Sequence, residues 1–175
     1  MPSCQCSNPQ LIPFGIAKKT LFISKNQTSF KHFQAWDPCT KTLVAEVFSN
    51  ATSSAAKKFL LKTMCELPFP IQSIQVDGGS EFRRYFEEAC ADNNIPLYVL
   101  PPKRPQYNGG VERANRIMRE EFYEDPNLLA DCIPDMRLAL ATHLRKYNNF
   151  RPHYNLKGLT PAEYTKQMLK KPASY

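Results

Sequence analysis

The sequence predicts an α/β domain, and two observations lead to this fold class. Short segments rich in β-branched and aromatic residues alternate with longer segments of helical period, which is the pattern of strands and helices packed in layers. The chain has 175 residues, 42% of them hydrophobic, which is long enough for one ordinary core and a small appended segment. We therefore expect one domain and not two.

The first strands are expected in the N-terminal third of the chain. Residues 19–25 are compatible with a strand, whereas the start, rich in Cys, Ser, Pro and Gln, is predicted to be disordered. Residues 33–37 and 42–48 are predicted to be two strands of a hairpin, because the Pro38-Cys-Thr-Lys41 segment between them is typical of a turn.

A helix is predicted next, capped by Asn50 or Ser49 and ended by Pro68. Residues 71–76 then form a strand that leads directly into Asp77-Gly-Gly-Ser80. Ser80 is expected to cap a second helix with Phe82, Phe86 and Ala89 on its buried side. Residues 97–100 complete this part as a short strand.

Three helices are predicted in the C-terminal part, after a loop rich in Pro and Gly at residues 101–110. The first has Val111, Ala114, Met118 and Phe122 on its inner side. The second begins near Pro134 and has Met136, Leu140, Leu144 and Tyr147 on its inner side. Thr160-Pro-Ala-Glu163 has the form of a capping box with Pro at the first helical position, so a short last helix follows.

Composition and charge narrow the function classes. No apolar run approaches the length needed to cross a bilayer and no signal peptide is evident, so we expect a cytoplasmic protein without a membrane partner. The six cysteines are expected to be reduced thiols, and their spacing does not indicate zinc. No Walker loop, dinucleotide fingerprint or Ser/His/Asp arrangement is present, so neither a nucleotide cofactor nor a small-molecule substrate is implied.

The net charge of +7 is unevenly distributed. Residues 1–36 hold four lysines and no acid, residues 37–100 hold six basic and eight acidic residues, and residues 101–175 hold thirteen and eight. Basic flanks of this kind indicate a phosphate backbone as partner. On charge alone, a soluble protein with solvated lysines and arginines explains the distribution equally well.

Two carboxylates stand out as candidates for chemistry. Asp77 follows a predicted strand and precedes two glycines, at the kind of strand end where open α/β sheets bind ligands, although an Asp here can also simply close a turn. Glu112 lies near a predicted helix start, where the helix dipole alone favours an acid. Asn115, Arg116 and Arg119 follow it at helical spacing, so this stripe either contacts DNA phosphates or is a solvated face.

The segments around both acids resemble a known family. Residues 74–82 (IQVDGGSEF) and 102–116 (PKRPQYNGGVERANR) resemble the second and third acidic motifs of the retroviral integrase core, which bacterial insertion-sequence transposases share. Residues 147–164 resemble the tail of those transposases. The resemblance spans roughly residues 33–164 and implies a ribonuclease H-like fold, a mixed sheet flanked by helices, here with an incomplete or atypical N-terminal strand.

The resemblance also implies a metal site and a DNA substrate. In this family three carboxylates hold two Mg²⁺ or Mn²⁺ ions for phosphoryl transfer. Asp77 would be the second ligand and Glu112 the third. The DNA-binding residues would be Lys103, Arg104, Asn108, Arg113, Asn115, Arg116 and Arg119. Self-association is expected too, because joining two DNA ends needs more than one protomer.

The first ligand of that pattern is missing from its expected place, since no Asp or Glu precedes Asp37. Asp37 resembles an acidic residue of the family's second strand, although a shifted register could make it the first ligand. We divide the chain into an atypical segment 1–32, a core 33–165 and a tail 166–175, and the abrupt onset of resemblance near Phe33 suggests a truncated or frameshifted start.

Three functions remain open from sequence alone. The chain could be an active transposase core that cuts and joins DNA with Mg²⁺, or a remnant that binds DNA without catalysis. A third reading is a nuclease of the same fold that acts on RNA in hybrid duplexes. The missing acid favours the second, and the third-acid and tail motifs favour transposase ancestry over the nuclease.

Overall fold

The computed structural model describes residues 14–23, 28–101, 109–125, 130 and 132–170. Its centre is a five-stranded mixed sheet with the strand order β3-β2-β1-β4-β5. The antiparallel part pairs β1 with β2 and β2 with β3, and the parallel part pairs β1 with β4 and β4 with β5. The strands are β1 (Phe14–Ile23), β2 (Thr28–Trp36), β3 (Leu43–Phe48), β4 (Ile74–Val76) and β5 (Leu97–Val99).

The described residues form five helices around this sheet. The first carries the chain from the edge strand β3 to β4, and the second is the crossover that the adjacent parallel strands β4 and β5 require. The third is followed directly by a π-helical turn, Arg119–Tyr123. The helices are α1 (Ser53–Glu66), α2 (Tyr85–Asp92), α3 (Gly109–Met118), α4 (Ile133–Asn149) and α5 (Pro161–Lys170). The predicted mixed sheet flanked by helices is therefore confirmed.

Strand β1 extends the core further toward the N-terminus than the sequence suggested. It spans ten residues and pairs with β2 at nine positions, from Gly15 with Trp36 to Ile23 with Thr28. The expected boundary at residue 32 thus falls inside β2, and the expected boundary at residue 165 falls inside α5. Backbone pairing makes β1 a strand despite its three polar residues Lys18, Lys19 and Thr20, which obscured the pattern.

Two hydrophobic cores cover the two faces of the sheet. On β2 the alternation of a strand sends Phe33 and Ala35 to one face and Phe30, His32 and Gln34 to the other. The first core packs against α1 and α2, and the second packs against α3 and α4. The residues predicted to face inward on α4 are buried as expected: Met136, Leu140, Leu144 and Tyr147.

Two predicted helix caps are wrong and one is confirmed. Thr52, not Asn50 or Ser49, caps α1 through its hydroxyl, which accepts from the Ala55 N–H at 3.1 Å. Ser80 starts a short 3₁₀ turn, and α2 begins only after Arg84, whose N–H donates to the Glu87 carboxylate. The predicted capping box at α5 is present, with reciprocal bonds of 2.9 and 3.2 Å between Thr160 and Glu163.

The described cysteines Cys39, Cys65, Cys90 and Cys132 are free thiols, while Cys4 and Cys6 lie outside the described residues. Within the same part of the chain, no helix combines the length and the apolar character that a membrane crossing requires.

Candidate functional site

Asp77 lies immediately after β4, at the carboxyl end of a parallel strand, and is exposed. The backbone turns sharply behind it, since the Gly79 N–H donates to the Asp77 carbonyl at 2.8 Å. A Cβ at Gly79 would lie 2.7 Å from a carboxylate oxygen of Glu81, and Glu81 is itself buried. The absence of a side chain at Gly79 therefore lets this turn pack against the buried Glu81 carboxylate. The sequence motif at residues 74–82 includes Glu81 but gave no reason to expect its burial.

The sheet register identifies the neighbours of Asp77. Ile16 of β1 pairs with Val76 of β4, so the next residue of β1, Ala17, is level with Asp77. Ala17 in turn pairs with Gln34 of β2. The position level with Asp77 is therefore an alanine on the neighbouring strand β1 and an amide on β2, one strand further away, and neither residue type supplies a carboxylate.

Asp37 lies in the turn between β2 and β3, where its carboxylate accepts hydrogen bonds from the N–H groups of Cys39 and Thr40 and from the Thr40 hydroxyl. It follows Trp36, which pairs with Gly15 and through it with Gln75. Asp37 is thus two strands away from Asp77 across the sheet and three residues away along the strand direction. Standard strand spacings place the two residues about 14 Å apart. The structure does not bring the two carboxylates together.

Helix α3 carries Glu112 in its first turn, although the Glu112 side chain is outside the described part. One turn later, Asn115 is half-buried and its Oδ1 accepts a hydrogen bond of 2.8 Å from Nε2 of Gln34. This bond joins α3 to β2 at the sheet position level with Ala17. Helix α3 is thereby held over the strands next to Asp77.

A buried polar chain continues from this bond. The His32 Nε2 lies 3.2 Å from the Gln34 Oε1, and the Tyr123 hydroxyl lies 2.6 Å from the His32 Nδ1. Burial raises the pKa of Tyr123, so its hydroxyl stays protonated and can donate. The three bonds are mutually consistent if Tyr123 donates to His32, His32 to Gln34 and Gln34 to Asn115. Sequence reasoning missed this chain because its members are far apart along the sequence.

The π-helical turn after α3 makes part of this chain possible. It widens the helix by one residue per turn, and the consecutive residues Phe122 and Tyr123 both meet the sheet side: Phe122 is fully buried, and the Tyr123 ring packs edge-on against His32 at 5.4 Å. Such π turns often occur at functional sites.

The residues of α3 that were predicted to contact DNA do not all lie on one face of the helix. Asn115 faces the sheet, whereas Arg113, Arg116 and Arg119 are exposed. Arg119 lies 3.5 Å from both Glu120 and Glu124. The predicted contacts Lys103, Arg104 and Asn108 lie outside the described residues.

The described residues do not fit a two-metal site held by three carboxylates. No group of three His, Cys, Asp or Glu side chains that could hold a metal occurs among them. In the sheet register, Ala17 of β1 and, one strand further, Gln34 of β2 are level with Asp77, so neither strand supplies a carboxylate at that level. We therefore derive no reaction step through a bound metal.

This arrangement, a five-stranded mixed sheet with a helix held across its central strands, is the ribonuclease H-like fold of integrase catalytic cores. Residues 93–161 match the family model described as integrase core domain. The resemblance to integrase cores predicted from the motifs is thus confirmed. No curated protein sequence matches the chain.

Three solved structures share the fold. The BIV integrase catalytic core domain is 20% identical, with a TM-score of 0.68 over 89% of this chain and 95% of that one. The HTLV-2 integrase catalytic core domain in complex with magnesium, in a trimeric form, is 19% identical, with a TM-score of 0.69 over 88% and 97%. A simian T-cell lymphotropic virus intasome in complex with PP2A regulatory subunit B56 gamma gives 23% identity and a TM-score of 0.72 over 94% of this chain. This chain spans 57% of that intasome chain.

Proposed function

We propose that this protein is an integrase-type core that binds DNA and does not carry out metal-dependent strand transfer with its own carboxylates. The observation that carries the proposal is the sheet register, which sets Ala17 of the neighbouring strand β1 level with Asp77 and Gln34 level with it one strand further away. Two divalent ions in one site need several anionic oxygens to balance their charge. Asp77 and Glu112 alone leave that charge poorly compensated.

The exposed arginines of α3 support the DNA-binding part of the proposal. Arg113, Arg116 and Arg119 lie at helical spacing on the solvent side of the helix that carries Glu112. Arg113 contacts no carboxylate within the described part of the chain, so its guanidinium is available to a phosphate. Guanidinium groups bind phosphates through paired donors and release condensed counterions as they do so.

The competing function is an active transposase core that uses Mg²⁺ or Mn²⁺ at Asp77 and Glu112. The HTLV-2 integrase core was solved in complex with magnesium, which favours this alternative by fold alone. It predicts cleavage or joining of DNA by the purified protein. An origin from a bacterial insertion sequence is part of this alternative, because the motifs at residues 102–116 and 147–164 that suggest it resemble those of bacterial transposases.

Binding and cleavage can be tested together on one labelled duplex. We expect affinity to fall steeply with salt, and no nicked or joined product in either Mg²⁺ or Mn²⁺. Arg113→Gln should lower the affinity and reduce the salt slope by about one. The control is Lys58→Gln, which removes one exposed charge from α1 on the opposite face of the sheet.

Either of two results would contradict the proposal. Products that form only with metal and disappear in Asp77→Asn would establish the enzyme. An affinity unaffected by salt, or lowered equally by Arg113→Gln and Lys58→Gln, would remove the DNA-binding role of α3.

We also propose that the protein self-associates. The HTLV-2 core is described as a trimeric form and the simian virus protein as an intasome. Sedimentation of the purified protein at several concentrations measures this directly, and a monomer at all of them would end this part of the proposal.

A further inference from the structure

A groove beside α3 is not explained by the carboxylates. It lies between α3, the turn that joins β2 to β3, and the segment that follows α4, and its volume is about 700 Å³. That volume lies within the range of ligand sites in proteins. Arg113 and Arg116 line one wall, Trp36 and Lys41 the second, and residues 151–155 the third.

The groove carries an excess of positive charge. Its lining includes four cations, Lys41, Arg113, Arg116 and Arg151, and two anions, Glu120 and Glu121. Arg151 pairs with Glu121, and Arg116 lies 3.9 Å from Glu120. Lys41 donates to the Pro38 carbonyl and lies 4.9 Å from the centre of the Trp36 ring. Lys41 and Arg113 therefore remain without a carboxylate partner among the described residues and leave the groove attractive to a phosphate.

A neighbouring histidine is kept neutral mainly by burial and further by two cations of the groove. Burial and the charges of Arg151 and Lys41 lower the pKa of His153 to about 4. His153 lines the groove and packs edge-on against Tyr147 with ring centres 5.0 Å apart. It stays neutral near pH 7 and adds no charge of its own.

Tyr154 presents an open aromatic ring at the edge of this groove, with 97% of its surface exposed. The turn that carries it is held by backbone hydrogen bonds of 3.0 Å from His153 to the Leu159 carbonyl and from Gly158 to the His153 carbonyl. Lys157 and Gly158 close this turn in the left-handed region, at φ of 57° and 82°. The ring is thus displayed on a fixed backbone and has both faces available for stacking.

We infer that this groove binds single-stranded DNA, with phosphates at Arg113 and Lys41 and an unpaired base stacked on Tyr154. The inference rests on the proposed DNA-binding function and names the form of DNA that this surface takes. Cationic grooves that carry exposed aromatic rings are the usual site for single strands. Inside a duplex both faces of each base are already stacked, so along a strand the Tyr154 ring gains a partner only from an unpaired base.

The test compares a labelled single-stranded oligothymidine with a duplex of equal length by fluorescence anisotropy. Tyr154→Ala should weaken binding of the single strand by about tenfold and leave duplex binding unchanged. Tyr154→Phe keeps the ring and should bind like wild type. Tyr85→Ala is the matched control, because it removes another exposed aromatic ring from α2 on the opposite face of the sheet.

Equal affinity of Tyr154→Ala and wild type for the single strand would overturn the inference, as would an equal loss on the duplex. Tighter binding of an oligouridine than of oligothymidine would overturn the assignment to DNA. If the wild type binds the duplex with a steep salt dependence and Tyr154→Ala has no effect, the groove inference fails alone. If the wild type binds neither DNA, the proposed function fails with it.

Discussion

Gln34 of β2 and Asn115 of α3 are joined by a hydrogen bond of 2.8 Å that ties the candidate DNA-binding helix to the central sheet. Gln34 is 1% exposed, so its amide has no access to solvent when the bond is lost. The same amide group accepts from His32 and connects the bond to Tyr123. The position of α3 therefore depends on a buried polar chain as well as on apolar packing.

The first prediction concerns this bond. Asn115→Ala should lower the free energy of unfolding by about 1–3 kcal/mol, because it leaves a buried amide donor unsatisfied. Urea unfolding followed by circular dichroism measures this change. Asn149→Ala is the control, since Asn149 is exposed and donates to the Arg145 carbonyl of its own helix. Similar small losses in both variants would show that the bond contributes nothing specific.

The second prediction concerns Glu46, which connects β3 with two helices. Its carboxylate lies 2.6 Å from Lys62 of α1 and 2.9 Å from Arg137 of α4. Burial raises the pKa of Glu46, but the hydrogen bonds and the positive charges of Lys62 and Arg137 lower it overall. Glu46→Gln should therefore cost about 1 kcal/mol at neutral pH, and this contribution in the wild type should disappear as the solution is acidified through the lowered folded pKa.

Unfolding in urea at neutral and acidic pH checks the Glu46 prediction. Glu66→Gln is the control, because Glu66 lies 3.5 Å from the same lysine on a more exposed part of α1. A loss in Glu46→Gln that persists unchanged in acid would contradict the electrostatic explanation and indicate a packing defect.

The third prediction follows from His153. Its pKa falls from the ordinary value of 6.5 to about 4 because of burial and the charges of Arg151 and Lys41. The unfolded chain therefore binds a proton at His153 below about pH 6.5, whereas the folded chain binds it only below about pH 4. Stability should decrease as the pH falls through this window and level off below it.

Thermal unfolding across that pH range tests the sign. His153→Gln should flatten the slope, and His143→Gln should remove a further part, since burial also lowers the pKa of His143. If stability changes with pH as steeply in the variant that carries both substitutions as in wild type, other groups cause the pH dependence.

The fourth prediction concerns the strand position level with Asp77. Ala17→Asp places a carboxylate in β1 at that level, and we expect it to tighten Mn²⁺ binding on the order of tenfold, the size of effect that single supporting groups have in metal sites. Ala17→Asn, which adds similar volume without charge, should not. Isothermal titration calorimetry with Mn²⁺ distinguishes the two.

Asp37→Asn completes this experiment. The register holds Asp37 two strands away from Asp77, so Mn²⁺ affinity should equal that of wild type. Stability should drop, because the carboxylate accepts three hydrogen bonds in its turn. Loss of Mn²⁺ binding in Asp37→Asn as complete as in Asp77→Asn would instead make Asp37 a metal ligand.

Much of the fold could be predicted from local patterns. The hairpin of β2 and β3, the buried stripes of α2 and α4 and the Thr160–Glu163 capping box depend on residues close together in the chain. Strand β1 was harder to place, since Lys18 and Lys19 break its apolar pattern and its pairing with β2 and β4 comes from distant residues.

The sequence by itself determined the fold class, the family resemblance and the places of Asp77 and Glu112 at a strand end and a helix start. Only the tertiary structure decided which residues adjoin them. The pairing of Ala17 with Gln34, the bond from Gln34 to Asn115 and the groove that unites Arg113 with Tyr154 each join separate elements. Local propensity acts over a few residues, whereas register and helix packing are fixed by burying two faces of one sheet at once.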